Sequence, residues 1–233
     1  MPYYYYGFDP TYVLVLIGVV LSLLASSKVK STYAKYSRES SLSGMTGAQA
    51  AQRILSRAGI YDVTIQHVSG DLTDHYDPRN KTLNLSDTVY GNTSVAAVGV
   101  AAHECGHAIQ HDRGYAALKI RSALAPVANI GANISWPLIL VGLLLGGSGI
   151  LIQIGILMFS LAVAFQLVTL PVEFNASKRA MNLLSETGIL YQEELPKTRK
   201  VLNAAALTYV AAAASSILQL LRLVLLYGRR RND

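Results

Sequence analysis

The residues with the strongest chemical potential in this chain are His103-Glu104-Cys105-Gly106-His107, an H-E-x-x-H stretch. On an α-helix, residues four apart lie on the same face, one turn above the other. His103 and His107 can therefore offer two imidazoles to one metal ion. Glu104 falls one position round, within reach of a water on that metal but badly placed to be a ligand. Two imidazoles plus an oxygen ligand suit zinc and leave a fourth position open for water. A bound zinc lowers the pKa of water from ~15.7 to ~7, and a glutamate can then accept the proton. The stretch is thus the core of a hydrolytic site, provided that it lies on a helix.

The flanking sequence supplies the helix. Asn92, Thr93 and Ser94 are N-cap types, Val95 to Gln110 contains no proline, and Gly114 is a stop signal. Upstream, Thr46 can cap an amphipathic helix with Ala50, Ile54 and Leu55 on its apolar stripe and Gly59 at its end. Tyr61 to Val68 and Lys81 to Ser86 alternate with strand period, and Asp77-Pro78-Arg79-Asn80 is a turn signal. A small β-hairpin ahead of the H-E-x-x-H helix is the expectation. A strand in that place could hold an extended peptide by edge pairing.

Composition says where such a site operates. The 233 residues are 52% hydrophobic and only 15% charged, against ~25% in soluble domains, and the net charge is +6. The mean hydropathy is +0.33. The chain reads as a mainly α-helical, multi-pass membrane protein with room for one modest extramembrane domain. Its basic excess fits Lys and Arg gathered beside spans on the cytoplasmic side, and no nucleic-acid-binding motif is present. Cys105 is the single cysteine, so intrachain disulfides and cysteine-type zinc sites are excluded.

The hydropathy pattern places about four transmembrane helices. Residues 8–27 form the first, with Tyr3 to Tyr6 as an interfacial anchor; the start lacks the basic residues of a cleaved signal peptide. Lys28, Lys30, Lys35 and Arg38 follow it, which puts residues 28–121 in the cytoplasm. Ser122 to Val172 holds no Asp, Glu, Lys, Arg or His and is divided by Gly146-Gly147-Ser148-Gly149, so 122–172 reads as a membrane hairpin. Trp136 and Pro137 interrupt its first half. Residues 173–200 form a polar helical segment, and 201–227 an uncharged stretch that crosses the membrane or lies on it, with Arg222 inside it and Arg229-Arg230-Arg231 beyond it.

Two histidines do not complete a zinc site. His67, His75, His111 and the carboxylates are the candidates for a third ligand. His111 continues the four-residue spacing, but successive residues at that spacing diverge by about 40° per step on a straight helix, so three cannot converge on one ion. Glu173 is preferred, because the hairpin returns the chain at that residue to the side from which the H-E-x-x-H helix departed. Ser177, one turn later, could hydrogen-bond a ligand histidine. For a donor to the tetrahedral oxyanion, Tyr209, Tyr191 and Tyr76 are the candidates.

H-E-x-x-H, a membrane hairpin and then E-F-x-A resembles the heat-shock membrane metalloproteases and the prenyl-protein endopeptidases. The closer resemblance is to the YugP-type membrane zinc metallopeptidases of bacteria. It is carried by His103-Glu104-Cys105-Gly106-His107-Ala108-Ile109-Gln110, by Pro171-Val172-Glu173-Phe174-Asn175-Ala176-Ser177 and by Leu207-Thr208-Tyr209-Val210-Ala211. This resemblance implies a zincin-like metalloprotease domain with one zinc per chain on His103, His107 and Glu173, and Glu104 as general base. Tyr209 falls in one of the resembling stretches. Ser177 stands where the heat-shock family has an aspartate, a departure that weakens polarisation of a ligand imidazole.

The expected activity is hydrolysis of peptide bonds in membrane or membrane-proximal proteins, with the active site on the cytoplasmic face. An intramembrane zinc protease is the enzymatic rival; Ser94 to Ala102 is too short for a span and the charge-free hairpin lacks the aspartate such an enzyme carries. A membrane scaffold holding structural zinc is the other rival, and its signature, a fourth protein ligand, has no obvious candidate.

Overall fold

The computed structural model describes residues 9–229. The Tyr3–Tyr6 run, Arg230 and Arg231 lie outside the described residues. The described elements are α1 (Tyr12–Tyr36), α2 (Gly47–Ala58), β1 (Thr64–Val68), β2 (His75–Asp77), β3 (Thr82–Ser86), α3 (Val95–Asp112), α4 (Ala116–Leu144), α5 (Gly149–Glu186) and α6 (Leu195–Arg229). The protein is mainly helical. Helices α1, α4 and α5, and Leu195–Tyr227 of α6, are long and apolar enough to cross a membrane. The chain divides into two compact units, residues 9–24, 124–167 and 210–229 in the first and 25–123 and 168–209 in the second.

The first unit packs through small residues, the habit of membrane helix interfaces. A Cβ on Gly131 would come within 2.6 Å of the Met158 carbonyl oxygen, and one on Gly155 within 2.9 Å of that of Ser135. The Ser215 hydroxyl donates to the Gly18 carbonyl at 2.8 Å. Arg222 is not a bare charge: its guanidinium lies 3.3 Å from Asp9 and over the Tyr12 ring. Large apolar side chains face outward, with Leu16 and Leu23 more than 60% exposed. Pro126 and Pro137 lie inside α4, which continues past both and past Trp136. The expected interruption there is absent, since neighbouring groups in a bundle can satisfy the carbonyl that each proline leaves free.

The second unit holds the sheet. The expected hairpin of Tyr61–Val68 with Lys81–Ser86 is replaced by a three-stranded sheet in the order β1-β3-β2. Strand β1 pairs with β3 in parallel, from Thr64 opposite Thr82 to Val68 opposite Ser86. The hairpin partner of β3 is β2, across the Asp77–Lys81 turn. A tight turn forces the strand just before it to be the antiparallel neighbour. Strand β1, separated from β2 by residues 69–74, takes the other edge of β3. Flanked on both sides, β3 is buried from Leu83 to Ser86.

The core of this unit gathers Ala50, Ala51, Ile54 and Leu55 of α2, Leu83 and Leu85 of β3, Val98, Ala101, Ala102 and Cys105 of α3, and Ala180 and Leu184 of α5. Helix α2 has the caps its sequence announces. The Thr46 hydroxyl accepts from Gln49 N–H while the Gln49 side chain accepts from Thr46 N–H, and Gly59 closes the helix at φ 77°. The polar segment that opens at Glu173 is no separate helix but the last third of α5, which runs unbroken through Pro171.

Candidate metal centre

Helix α3 starts where its sequence directs, with the Ser94 hydroxyl accepting from Ala97 N–H at 3.2 Å. It is apolar nearly all round because it is buried nearly all round, from Val95 to Gln110. Cys105 fixes one face, donating its thiol to the Ala51 carbonyl at 3.6 Å, and burial pushes that thiol's pKa well up. It is a packing residue. Gly106 serves a different contact. A Cβ there would stand 2.5 Å from the Ala176 carbonyl oxygen, so only glycine lets α5 approach this closely. Glu173 and Ser177 flank Ala176 and lie one turn apart on α5, so this approach carries both to the two histidines.

Glu173 Oε2 lies 3.2 Å from His103 Nε2 and 3.5 Å from His107 Nε2. The two imidazole rings meet edge to face, with centroids 4.8 Å apart. Ligating atoms of His103, His107 and Glu173 all fall within 4.8 Å of one another, and among the described residues this is the group able to hold a metal. Zinc bonds of 2.0–2.1 Å in tetrahedral array place ligand atoms about 3.3 Å apart, close to the two imidazole–carboxylate distances of 3.2 and 3.5 Å.

The remaining imidazole nitrogens have partners of their own. The Ser177 hydroxyl is 3.1 Å from His103 Nδ1, and Gln110 Oε1 is 3.0 Å from His107 Nδ1. Gln110 cannot turn its amide over. Its Nε2 donates to the Val172 carbonyl at 2.7 Å and to Asn175 Oδ1 at 3.0 Å, which leaves only its oxygen for His107. His107 Nδ1 is therefore the protonated nitrogen, and Nε2 points a lone pair at the Glu173 carboxylate. Two acceptors 3.5 Å apart in a buried site require a cation between them, a proton or a metal ion. Burial opposes the charged form of His107, yet its hydrogen bond to Glu173 and the nearby Glu104 carboxylate outweigh this and raise its pKa. Arg121 Nη1 stands 3.8 Å from the other Glu173 oxygen.

Glu104 is 8% exposed and opens with His103, Asp74 and Tyr209 onto a cavity of about 250 Å³. The three tyrosines considered as oxyanion donors have separate fates. Tyr209 lines this cavity. The Tyr76 hydroxyl instead bonds His111 Nδ1 at 2.8 Å, with burial pushing its pKa up to about 12, and Tyr191 is exposed. The alternative ligand histidines are also engaged away from the centre. His67 pairs with Asp87 at 2.7 Å, and His75 bonds the Thr73 carbonyl and Asn84.

Sequence reasoning did not assign Gln110, Arg121 or Asp74 a place in the site. Gln110 had a usable signal, since it lies three residues after His107 and so on the same helical face. Arg121, the last charge before the charge-free run, carries no sequence signal for a metal site. Asp74, which takes Ser86 N–H and the Ser86 hydroxyl at 2.8 Å each, precedes a three-residue strand that the pattern did not reveal.

Residues 11–228 match the family described as "Putative neutral zinc metallopeptidase". The chain is 47% identical over 220 residues to "Putative membrane protease YugP" of Bacillus subtilis (strain 168), covering 94% of this chain and 97% of that protein. No solved structure matches the chain.

Proposed function

The chain belongs to the neutral zinc metallopeptidase family, and from that premise we propose that it is a membrane-bound endopeptidase that cleaves membrane or membrane-proximal proteins, with one zinc per chain on His103, His107 and Glu173. The observation that carries this reading is the convergence of two imidazoles and a carboxylate beside Glu104. When bound, zinc supplies Lewis acidity toward a carbonyl and acidifies water toward neutral pH. The chain's own groups do the rest. Gln110 and Ser177 hold the imidazoles so that both Nε2 atoms face Glu173. Glu104 takes the proton from the attacking water and passes it to the leaving amine. The Tyr209 hydroxyl donates to the oxyanion of the tetrahedral intermediate.

The test is Glu104→Gln in the purified, zinc-loaded protein, assayed on a quenched fluorogenic peptide. Cleavage should fall by roughly 10²- to 10⁴-fold while zinc content stays at wild type. Near-wild-type cleavage with zinc confirmed would remove Glu104 as the base. The proposed arrangement also places residues 28–121 and 173–200 in the cytoplasm, between spans at 8–27, 122–172 and 201–227. Single cysteines at Lys35 and Lys119, in a Cys105→Ala background, should then label from the side opposite to one at Gly147. Labelling of all three from one side would overturn the orientation.

A further inference from the structure

We propose that the cavity beside His103 and Glu104 is a selectivity pocket that takes one apolar side chain, of leucine to phenylalanine size, from the substrate residue flanking the scissile bond. The proposal rests on the peptidase reading above and adds the substrate class to it. His103 and Glu104 both line the cavity, so a side chain seated there belongs to a residue at or next to the bond under attack. Val100 on α3, Val29 on α1, and Val201, Leu202 and Ala205 on α6 form apolar walls. A volume of about 250 Å³ lies below the ~300–1,000 Å³ of pockets that enclose drug-sized ligands. It suits one side chain.

The loop at the rim points to the same occupant. Leu72 lines the cavity, is 41% exposed and holds a left-handed backbone at φ 54°, which a bulky residue adopts only under constraint. The constraint is visible on both sides. Gly70 N–H donates to Asp87 at 2.8 Å, and Asp74 is clamped to Ser86. The loop is thus held in a strained form that presents an uncovered leucine to an open, apolar space. No Lys or Arg lines the cavity, while Asp74 and Glu104 both do. An acidic side chain would meet two carboxylates with no Lys or Arg to pair it, and would be disfavoured. Asp74 already accepts two hydrogen bonds from Ser86, so it is committed to holding the loop more than to pairing a basic substrate.

The experiment uses fluorogenic peptides that differ at one position, Ala, Leu, Phe, Lys or Glu, with the cleaved bond identified by mass spectrometry. On the zinc-loaded wild type, Leu and Phe next to the cut should exceed Ala by about 10- to 200-fold in kcat/KM, with Glu lowest. Ala205→Phe, which fills the cavity, should collapse the Leu-to-Ala ratio to within about threefold. Leu202→Ala, which widens it, should move the preference from Leu toward Phe and guards against Ala205→Phe failing to fold. The same peptides are titrated against zinc-loaded Glu104→Gln, where selection is read as binding without turnover. Apolar-selective binding with no cleavage by the wild type would sink the peptidase reading and leave the pocket standing. Cleavage that ignores the side chain, or a preference that neither variant moves, would overturn the pocket and leave the peptidase reading intact. A preference for Lys would also overturn it, because Asp74 would then be the selecting group.

Discussion

Two cavities of near-equal volume, about 250 and about 240 Å³, are lined by different stretches of helix α3. In the second, every charge has its complement. Lys81 pairs with Asp62, Asp112 pairs with Arg113, and His111 bonds the Tyr76 hydroxyl. In the first, His103, Glu104 and Asp74 are joined by no Lys or Arg. His103, His107 and His111 repeat at the same four-residue spacing, so spacing does not set the two regions apart. The difference lies in what opposes each imidazole. His103 and His107 meet a buried carboxylate and have their second nitrogens fixed; His111 is exposed and meets a phenol. A second buried glutamate sharpens the point. Glu194 is 3% exposed, but its two oxygens accept from Leu42 N–H and Tyr191 N–H at 2.8 Å, so backbone donors already satisfy it. Glu173 faces the His107 Nε2 lone pair where Glu194 has amide protons, and a cation between the two groups, which a zinc ion can supply, resolves that conflict.

The comparison breaks first at Glu173. Glu173→Ala should lower zinc affinity by more than the ~10- to 100-fold that outer partners of a metal site typically carry. His67→Ala and His75→Ala should leave it near wild type. Zinc stoichiometry and competition against a chelator measure this, with folding followed separately by circular dichroism. If Glu173→Ala holds zinc as tightly as wild type while one histidine variant releases it, that histidine is the third ligand.

Gln110 tests whether fixing the second nitrogen matters. Gln110→Leu keeps approximate volume at a fully buried position but removes the acceptor for His107 Nδ1. Zinc affinity should fall about 10- to 100-fold, and stability by roughly 1–3 kcal/mol for the buried His107 Nδ1–H left without an acceptor. Ser177→Ala should sit at the lower end of that range of affinity loss, since it removes a single bond from a neutral hydroxyl. Unchanged affinity in Gln110→Leu would mean that α3 packing alone orients His107.

What could be read from the sequence was local, and what could not was set by partners distant along the chain. Thr46, Gln49 and Gly59 mark both ends of α2 because capping is decided within a few residues, and Ser94 opens α3 for the same reason. The convergence of Glu173 on His103 and His107 was within reach because the charge-free run reads as a hairpin, which would bring its two ends together. The parallel pairing of β1 with β3 was not, since alternation records which residues face the core but not which neighbour a strand takes. The same holds for α5 passing through Pro171, since a proline ends or merely interrupts a helix according to surroundings that the local sequence does not record.

The smallest effect should come from the second cavity. Tyr76 sits on β2, an edge strand of three residues that pairs with β3 and whose hydroxyl ties it to His111 on α3. That bond is exposed to solvent, so its removal replaces one hydrogen bond by others to water. Neither residue touches the Glu173 carboxylate, and His111 is a full turn beyond the last residue of the H-E-x-x-H stretch. Tyr76→Phe and His111→Ala should each cost no more than about 0.5–1.5 kcal/mol of stability. Zinc affinity should stay within about twofold of wild type, the range of a surface substitution far from a special feature. Denaturant unfolding of the zinc-loaded protein gives the first quantity and chelator competition the second. Zinc release by His111→Ala, with stability preserved, would erase the distinction between the two cavities and show that helical spacing continues the metal site past His107.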